Sequence, residues 1–587
     1  MSLDADTDPL LVAEQWLVGF NAAIGSGRAD ALAACFRNDG HWRDVVGLSW
    51  DFNTISGHGA IGERLASGNA IVKARNFAID GERLAPRILE RAGTQVVEAI
   101  LSFETAVGMG EGFVRIQLDD AGGDAPLAWT LMTALDQIRG HEEWTVQETR
   151  EEPAFLRDFH GPNWIEKRDA VAIYIDHDPA VLVVGGGHAG ITAAARLGAL
   201  GVDALVIDRE KRIGDNWRLR YHGLKLHNQP PSNHMPYLPF PKAWQKYTPK
   251  DKIANWLESY VDILDINFWT ETGLEGASYD ATHGYWNANV RLKDGDLRIM
   301  HPRHIIVATG VSATPNIPVI PTLENFKSEV VHSSQFTDGS AWKDRDVLIM
   351  GVGTSAHDIA QDLEGHGARV TMVQRNPSVV VNVEPSAQMY DSVFFEDGPS
   401  IEDKDLITLS IPLKVLKEAH KVLTAKVREI DKPLLHGLSE KGFRLHFGED
   451  GTGWPLLFRT RGGGYYFNIG GSELIVEGRV SLIQWDDMEG FTESGYRMKD
   501  GTEHKAELVV LATGFKGFEH AVETLFGKTV LERIGQIWGF DDNQELANMW
   551  MATPQPGIWF TAGSFSQCRV FSKYLALQIK ARELGLV

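Results

Sequence analysis

Cysteine is almost missing from this chain: of 587 residues, only Cys35 and Cys568 carry a thiol. No disulfide framework can be built from them, and there is no CxxC pair for dithiol chemistry. A reducing compartment is the expected home. Long apolar runs are missing too, and none approaches the ~20 residues that a membrane-spanning helix needs. Positive charge is in short supply, with 57 Lys and Arg against 79 Asp and Glu, a formal charge of -22. Nucleic acid and anionic membrane surfaces repel such a protein, so neither is an expected partner. The opening Met1-Ser2-Leu3-Asp4-Ala5-Asp6 is acidic where a secretory signal is basic and then apolar, so the expected location is cytoplasmic. The length exceeds what one core supports and predicts about two to four domains.

What the chain does have is glycine in two phosphate cradles. Gly185-Gly186-Gly187-His188-Ala189-Gly190 follows the apolar run 180–184, and Gly351-Val352-Gly353-Thr354-Ser355-Ala356 follows 347–350. Each leads into a helical stretch and a second apolar strand. Glycine lets the backbone approach a pyrophosphate, and the helix N-terminus behind it offers free N–H groups and the positive end of a dipole. The first unit's strand ends in Asp208, which suits unmodified ribose hydroxyls; the second ends at Gln374-Arg375, and Arg375 suits a 2′-phosphate. Adenine dinucleotides of two kinds, FAD and NADPH, are therefore the expected cofactors, and electron transfer between them is the expected chemistry.

The rest of the chain is arranged around these units. Residues 1–150 carry helical stripes (Leu10, Trp16, Phe20, Ala23, then Leu32 and Phe36). Alternating strands follow (Val97, Ala99, Leu101, Phe103; Val114, Ile116, Leu118; Trp129, Leu131, Thr133, Leu135), broken at Gly108-Met109-Gly110 and Gly122-Gly123. This order predicts an α+β domain with a curved antiparallel sheet. Residues 151–178, with Gly161-Pro162-Asn163-Trp164, read as a linker. The fold class is α/β: two Rossmann-like dinucleotide-binding domains beside the N-terminal α+β domain. Apolar strands run into Ala308-Thr309-Gly310 and again, from 508–511, into Ala512-Thr513-Gly514-Phe515. This repeat places an NADPH domain (341–500) inside an FAD domain (179–340 and 501–587) that ends in a helix over 572–584.

Several motifs resemble the flavin-containing monooxygenase family. Phe326, His332 and Phe336 fit its fingerprint F-x-G-x-x-x-H-x-x-x-(Y/F), just ahead of the second cradle as in that family, with Ser328 in place of the glycine. If that glycine needs positive φ, the serine is strained. Trp217 in Gly214-Asp215-Asn216-Trp217, the Leu224-Lys225-Leu226-His227 run, Pro239-Phe240-Pro241, Thr513-Gly514 and Arg461-Gly462-Gly463-Gly464-Tyr465-Tyr466 add to the likeness, which is nearest the YUCCA-like branch and spans 179–587. Within 1–150, Gly57-His58-Gly59 and the closing Gly140-His141-Glu142-Glu143 resemble an NTF2-like (SnoaL-type) cone. His41-Trp42-Arg43-Asp44 offers that cone a His/Asp acid–base pair, although binding or dimerisation without chemistry is the commoner use of such domains. A homodimer is accordingly an expected assembly.

The monooxygenase resemblance implies NADPH-driven reduction of FAD, capture of O2 as a C4a-(hydro)peroxyflavin, and delivery of one oxygen atom to a small organic substrate, as in N,N-dimethylaniline-type monooxygenation. Asn228 is the match to the family asparagine facing the flavin, with Asn233 as the alternative alignment. Trp217, His227 and Gly563 are expected at the cofactors, with the Gly563-Ser564 turn presenting helix N–H groups to the flavin. His332 reads as architectural and Cys568 as packing; no metal is expected. Three alternatives stand beside this reading: an NADPH oxidase releasing H2O2, a YUCCA-like oxidative decarboxylase of a 2-oxo acid, and a non-catalytic flavin-bearing binding protein.

Overall fold

The computed structural model describes residues 7–118, 125–144, 159–228 and 230–587. The expected break at Gly122-Gly123, residues 151–158 of the linker and the acidic opening Met1 to Asp6 lie outside the described residues. Two five-stranded sheets, parallel throughout, organise the larger part. In the first, the strands run in the order Asn267–Trp269, Ala204–Ile207, Val181–Val184, His304–Val307 and Ile558–Phe560. In the second the order is Glu329–His332, Leu508–Leu511, Asp346–Met350, Arg369–Gln374 and Val480–Gln484. Central strands such as Val181–Val184 and Leu508–Leu511 are buried at every residue, as a parallel sheet covered on both faces requires.

The strand Leu508–Leu511 corrects the expected return to the first sheet near 501, because it pairs with Asp346–Met350 and Glu329–His332 in the second sheet. The first sheet regains the chain only at Ile558–Phe560. Between the sheets the chain crosses twice, and the two crossings pair with each other at Thr314–Pro315 and Phe515–Lys516. The linker also differs from a bare loop: Trp164–Ile173 is a helix whose Asn163 side chain accepts from Glu166 N–H while Glu166 reaches back, so the Gly-Pro-Asn run works as a capping box. The last helix starts earlier than expected, spanning Phe565–Glu583.

The N-terminal part is a helix, Pro9–Ser26, on a seven-stranded sheet. Trp16, Phe20 and Ala23 are buried as the stripe predicts; Leu10 is exposed and Phe36 opens a strand instead of continuing a helix. The sheet is antiparallel except where Phe36–Val45 pairs parallel with Ala128–Ile138, a departure from the expected all-antiparallel sheet. Its central strands, Thr94–Glu104, Gly108–Gln117 and Ala128–Ile138, are buried on both faces. Val97, Ala99, Leu101, Val114 and Leu131 join the aromatic core under the N-terminal helices, whereas Phe52, Ile100, Phe113, Met132 and Ala134 belong to the core of the first parallel sheet. The space between the helices and the sheet is filled: Phe77 and Phe103 stack at 4.5 Å, and a Cβ on Gly110 would stand 2.2 Å from the Phe103 ring. Among the described residues no helix is long and apolar enough to cross a membrane.

Candidate active site

Both cradles have the geometry their glycines imply. The helices His188–Ala199 and Thr354–Gly365 start at Gly187 and Gly353 with no side-chain cap, so their first N–H groups stay free for a phosphate. Gly185 (φ 111°) lies so close to the next strand's end that a Cβ would stand 2.6 Å from the Ala308 carbonyl, and one on Gly190 would stand 2.0 Å from the Gly185 carbonyl. Gly351 (φ 132°) repeats this, its Cβ position lying 2.5 Å from the Ala512 carbonyl. At Gly187 only Asn216 Nδ2 comes near, at 3.1 Å, and at Gly353 the space is open. Room for pyrophosphate is therefore kept at the middle glycines, while the outer ones serve chain packing. Ala189 and Ala356 are buried in the helices behind the cradles.

The two residues singled out at the strand ends differ in their surroundings. Asp208 accepts from Gly186 N–H at 2.6 Å and from Glu210 N–H at 2.9 Å, which fixes its carboxylate at the rim of the first cradle. Arg375 is exposed just past the strand Arg369–Gln374, and no described carboxylate pairs with it. Its neighbour Arg444 is already engaged, donating to the Arg375 carbonyl at 2.6 Å and pairing with Asp486 at 3.3 Å. Around the second cradle Thr354 donates to the Tyr465 carbonyl at 3.0 Å, and Ser355 is half-buried. His227 packs edge-on against Phe467 at 5.9 Å, and burial lowers its pKa while Asp358 opposes that shift. Thr513 donates to the Asn316 carbonyl at 2.6 Å, and the Gly514 carbonyl accepts from His332 Nε2 at 3.0 Å. Thr513 and Gly514 thus belong to the crossing beside the second cradle. His332 is an interior strut, also bonded to Ser334 at 2.9 Å. Ser328 has no positive φ, so the substitution in the fingerprint carries no strain.

Beside the first cradle opens a chamber of about 370 Å³. His188 forms one edge, donating from Nε2 to the Gly563 carbonyl at 2.8 Å and stacking on Phe565 at 4.4 Å. Gly563 has φ 113° and turns the chain into the last helix, where Ser564 and Gln567 cap each other. Cys568 is buried just behind, its thiol pushed up by burial, with no second sulfur near: a packing residue. Six buried polar atoms on the chamber wall have no partner: Trp217 Nε1, Asn233 Nδ2, Thr408 Oγ1, His420 Nδ1, Trp454 Nε1 and Gln544 Oε1. Each such orphan costs about 1–3 kcal/mol, and their gathering on one cavity marks a polar occupant. Trp217 and Asn233, beside the His188–Gly563 edge, fit the polar rim of a flavin; both Asn228 and Asn233 reach this wall.

The sequence reading missed the charged end of the chamber. Asn228 Nδ2 donates to Asp391 Oδ2 at 3.4 Å, and burial raises the Asp391 carboxyl to about 6 although Arg459 pulls it down. Arg459, on the helix Trp454–Arg461, is pushed down to about 10 by burial and by Arg43, against the pull of Asp391 and Glu545. No described carboxylate lies within ion-pair distance of it. His420 is lowered to about 3 by burial and then by Arg459, and so is neutral. The only hint in the chain was the neighbouring Arg461-to-Tyr466 motif, and Arg461 itself points outward to pair with Glu449. The expected His41/Asp44 acid–base pair is not formed. Asp44 is fully buried and accepts from Thr133 at 2.6 Å and Ser49 Oγ at 2.7 Å, whereas His41 meets Ser56 at 2.9 Å on the other face of the strand.

Comparison with known proteins agrees with this geometry. Residues 182–390 match the family model described as pyridine nucleotide-disulphide oxidoreductase. The indole-3-pyruvate monooxygenase YUCCA1 of Oryza sativa subsp. japonica is 29% identical over 342 residues, covering 58% of this chain and 77% of that protein. The probable indole-3-pyruvate monooxygenase YUCCA4 of Arabidopsis thaliana is 30% identical over 342 residues, covering 58% of this chain and 76% of that one. The crystal structure of cyclohexanone monooxygenase from Rhodococcus sp. Phi1 bound to NADP+ shares the fold, with a TM-score of 0.50 and 17% identity over 70% of this chain and 84% of that chain. With two dinucleotide cradles, no dithiol, and a relative 30% identical across 76% of its length, the chain belongs to the flavin monooxygenase family: it is an oxidoreductase that uses FAD and NADPH to oxygenate a small molecule with O2.

Proposed function

We propose that the substrate is a small organic acid, held by its carboxylate at Arg459, and that a 2-oxo acid of the indole-3-pyruvate type is oxidatively decarboxylated. The observation that supports this most is the lone guanidinium of Arg459, half-buried at the chamber's polar end without an ion-pair partner among the described residues. A buried charge with no counter-ion is expensive, and a carboxylate ligand would relieve it. Bound FAD, reduced by NADPH, supplies the oxygen chemistry. The chain's own part is to bind, orient and keep water out. Asp208 and the first cradle would hold the flavin nucleotide, and Arg375 the 2′-phosphate of NADPH. Asn228, fixed by Asp391, would present an amide to the reacting edge, and neutral His420 would add an uncharged hydrogen-bonding group beside Arg459.

The balanced reaction converts R–CO–COOH, O2, NADPH and H+ into R–COOH, CO2, H2O and NADP+. The test is incubation of the purified holoenzyme with NADPH and indole-3-pyruvate, measuring indole-3-acetate, H2O2 and NADPH consumed. One acid formed per NADPH supports the reading; NADPH consumed with H2O2 as the only product refutes it. The same proposal takes residues 1 to about 150 as an NTF2-like unit and the protein as a cytoplasmic homodimer free of nucleic acid and membrane. It is supported by the formal charge of -22 and the absence of a CxxC pair, and sedimentation of the purified protein decides the assembly.

A further inference from the structure

Among the described residues of the N-terminal unit, the space between helices and sheet is packed with aromatic rings. The unit is bound to the flavin side by an unusual number of buried directional contacts. Arg43 grips Glu545 with two bonds, at 2.9 and 2.5 Å, and Thr54 donates to the same carboxylate at 2.7 Å. Arg83 meets Asp403 at 2.8 Å; Arg115 donates to the Ile407 carbonyl at 3.1 Å and to Ser410 Oγ at 2.9 Å; Lys573 reaches back to Glu111 at 2.7 Å. These contacts seat two side chains of the N-terminal sheet, Arg43 and Phe52, directly on the wall of the substrate chamber. Phe52 extends an aromatic line, lying 5.9 Å from Phe571, which in turn stacks on Trp550 at 4.7 Å. Glu545 pairs with Arg43, so Phe52 is the apolar group contributed from this side, while Arg459 has no such pair among the described residues.

We infer that the N-terminal unit is a structural wall of the substrate chamber, with Phe52 as a specificity-determining residue that receives the apolar body of the substrate. This rests on the organic-acid reading only for the choice of probes. Phe52 is 2% exposed, so truncation to alanine would endanger folding; leucine and tryptophan at this position change the wall's volume in opposite directions with less risk. Flavin content and melting temperature identify variants that have folded.

Calorimetric titration of the oxidised holoenzyme uses pyruvate and indole-3-pyruvate, which share a head group and differ in the apolar body. Phe52→Leu is expected to weaken indole-3-pyruvate about fivefold relative to pyruvate through lost apolar contact. Phe52→Trp is expected to exclude indole-3-pyruvate while pyruvate still binds. Parallel changes in both acids, or none, overturn the inference. If neither acid binds the wild-type protein, it is the organic-acid reading that fails. The wall is then judged by H2O2 released from NADPH and O2 without organic substrate: at least threefold faster release in Phe52→Leu and in Arg43→Gln, with partial recovery in Arg43→Lys, supports it. An unchanged rate overturns it.

Discussion

Replacing Arg459 by methionine should make the protein more stable and a poorer catalyst at once. The guanidinium lines the polar end of the chamber, and its pKa is pushed well below the ordinary arginine value, to about 10, by burial and by Arg43. A depression of that size corresponds to about 3 kcal/mol held against the charged form, an upper bound on what an apolar replacement recovers. Even a third of it, about 1 kcal/mol, lifts the melting temperature by roughly 2–4 °C in a unit of 150–250 residues. Asp391 does not become a stranded charge: already raised to about 6, it takes a proton once the cation is gone. Binding moves the other way. A charge-assisted bond to a carboxylate contributes about 1.5–3 kcal/mol, so KM for indole-3-pyruvate should rise about 10- to 150-fold. Calorimetric melts of the holoenzyme and steady-state product formation give both numbers. A lower melting temperature together with an unchanged KM would refute the reasoning, because it would mean that Arg459 is paired and structural.

Other consequences can be checked by simpler means. Gly187→Ala should lose FAD while leaving the fold intact, since its φ of -76° suits alanine and only Asn216 Nδ2 lies near; absorbance of the purified protein near the flavin band, set against its circular dichroism, reads both. Arg375→Ala should reduce the NADPH-over-NADH ratio of kcat/KM about 10- to 100-fold, as expected for one lost charge-assisted contact; an unchanged ratio removes the 2′-phosphate assignment. Burial alone would raise Glu98, but Arg115, Arg91 and Arg87 hold it down to about 2. Its contribution, about 3 kcal/mol at most, is therefore present above the ordinary glutamate value of 4.5 and lost as pH falls towards 2. Glu98→Gln should flatten the fall of melting temperature between pH 5 and pH 2.5.

The cradles were legible because phosphate binding is local chemistry: strand, glycines, helix and strand-end residue all lie within one short stretch. The Ala-Thr-Gly repeat misled for the same local reason. Ala308 and Ala512 each present a carbonyl to the first glycine of a cradle, at 2.6 and 2.5 Å from where a Cβ would stand. The repeat therefore marks each strand's own cradle and says nothing about a return to the first sheet. The chamber had no such signature. Arg43 and Glu545 meet across a separation of 502 residues, and Asn228, Asp391 and Arg459 come from three separate segments. No periodicity or spacing connects them.

The N-terminal sheet carries its charges on a face that meets the rest of the protein. Glu98, Glu111, Arg115 and Arg43 occupy strand positions that, in an isolated domain, would be a solvated surface; here they are buried or nearly so, Arg43, Arg115 and Glu111 against groups of the flavin side and Glu98 against Arg87, Arg91 and Arg115 of its own unit. Apolar side chains of the same sheet, Phe52, Ile100, Phe113 and Met132, join the two units as well, at lower desolvation cost. Area burial, however, is non-directional and tolerates sliding, whereas a two-bond Arg–carboxylate contact fixes position as well as attraction. Phe52 and Arg43 stand at the edge of the substrate chamber, where a small displacement would open it to water. Directional contacts are what such an edge needs, and this accounts for costly polar contacts beside an apolar interface that would have sufficed for folding.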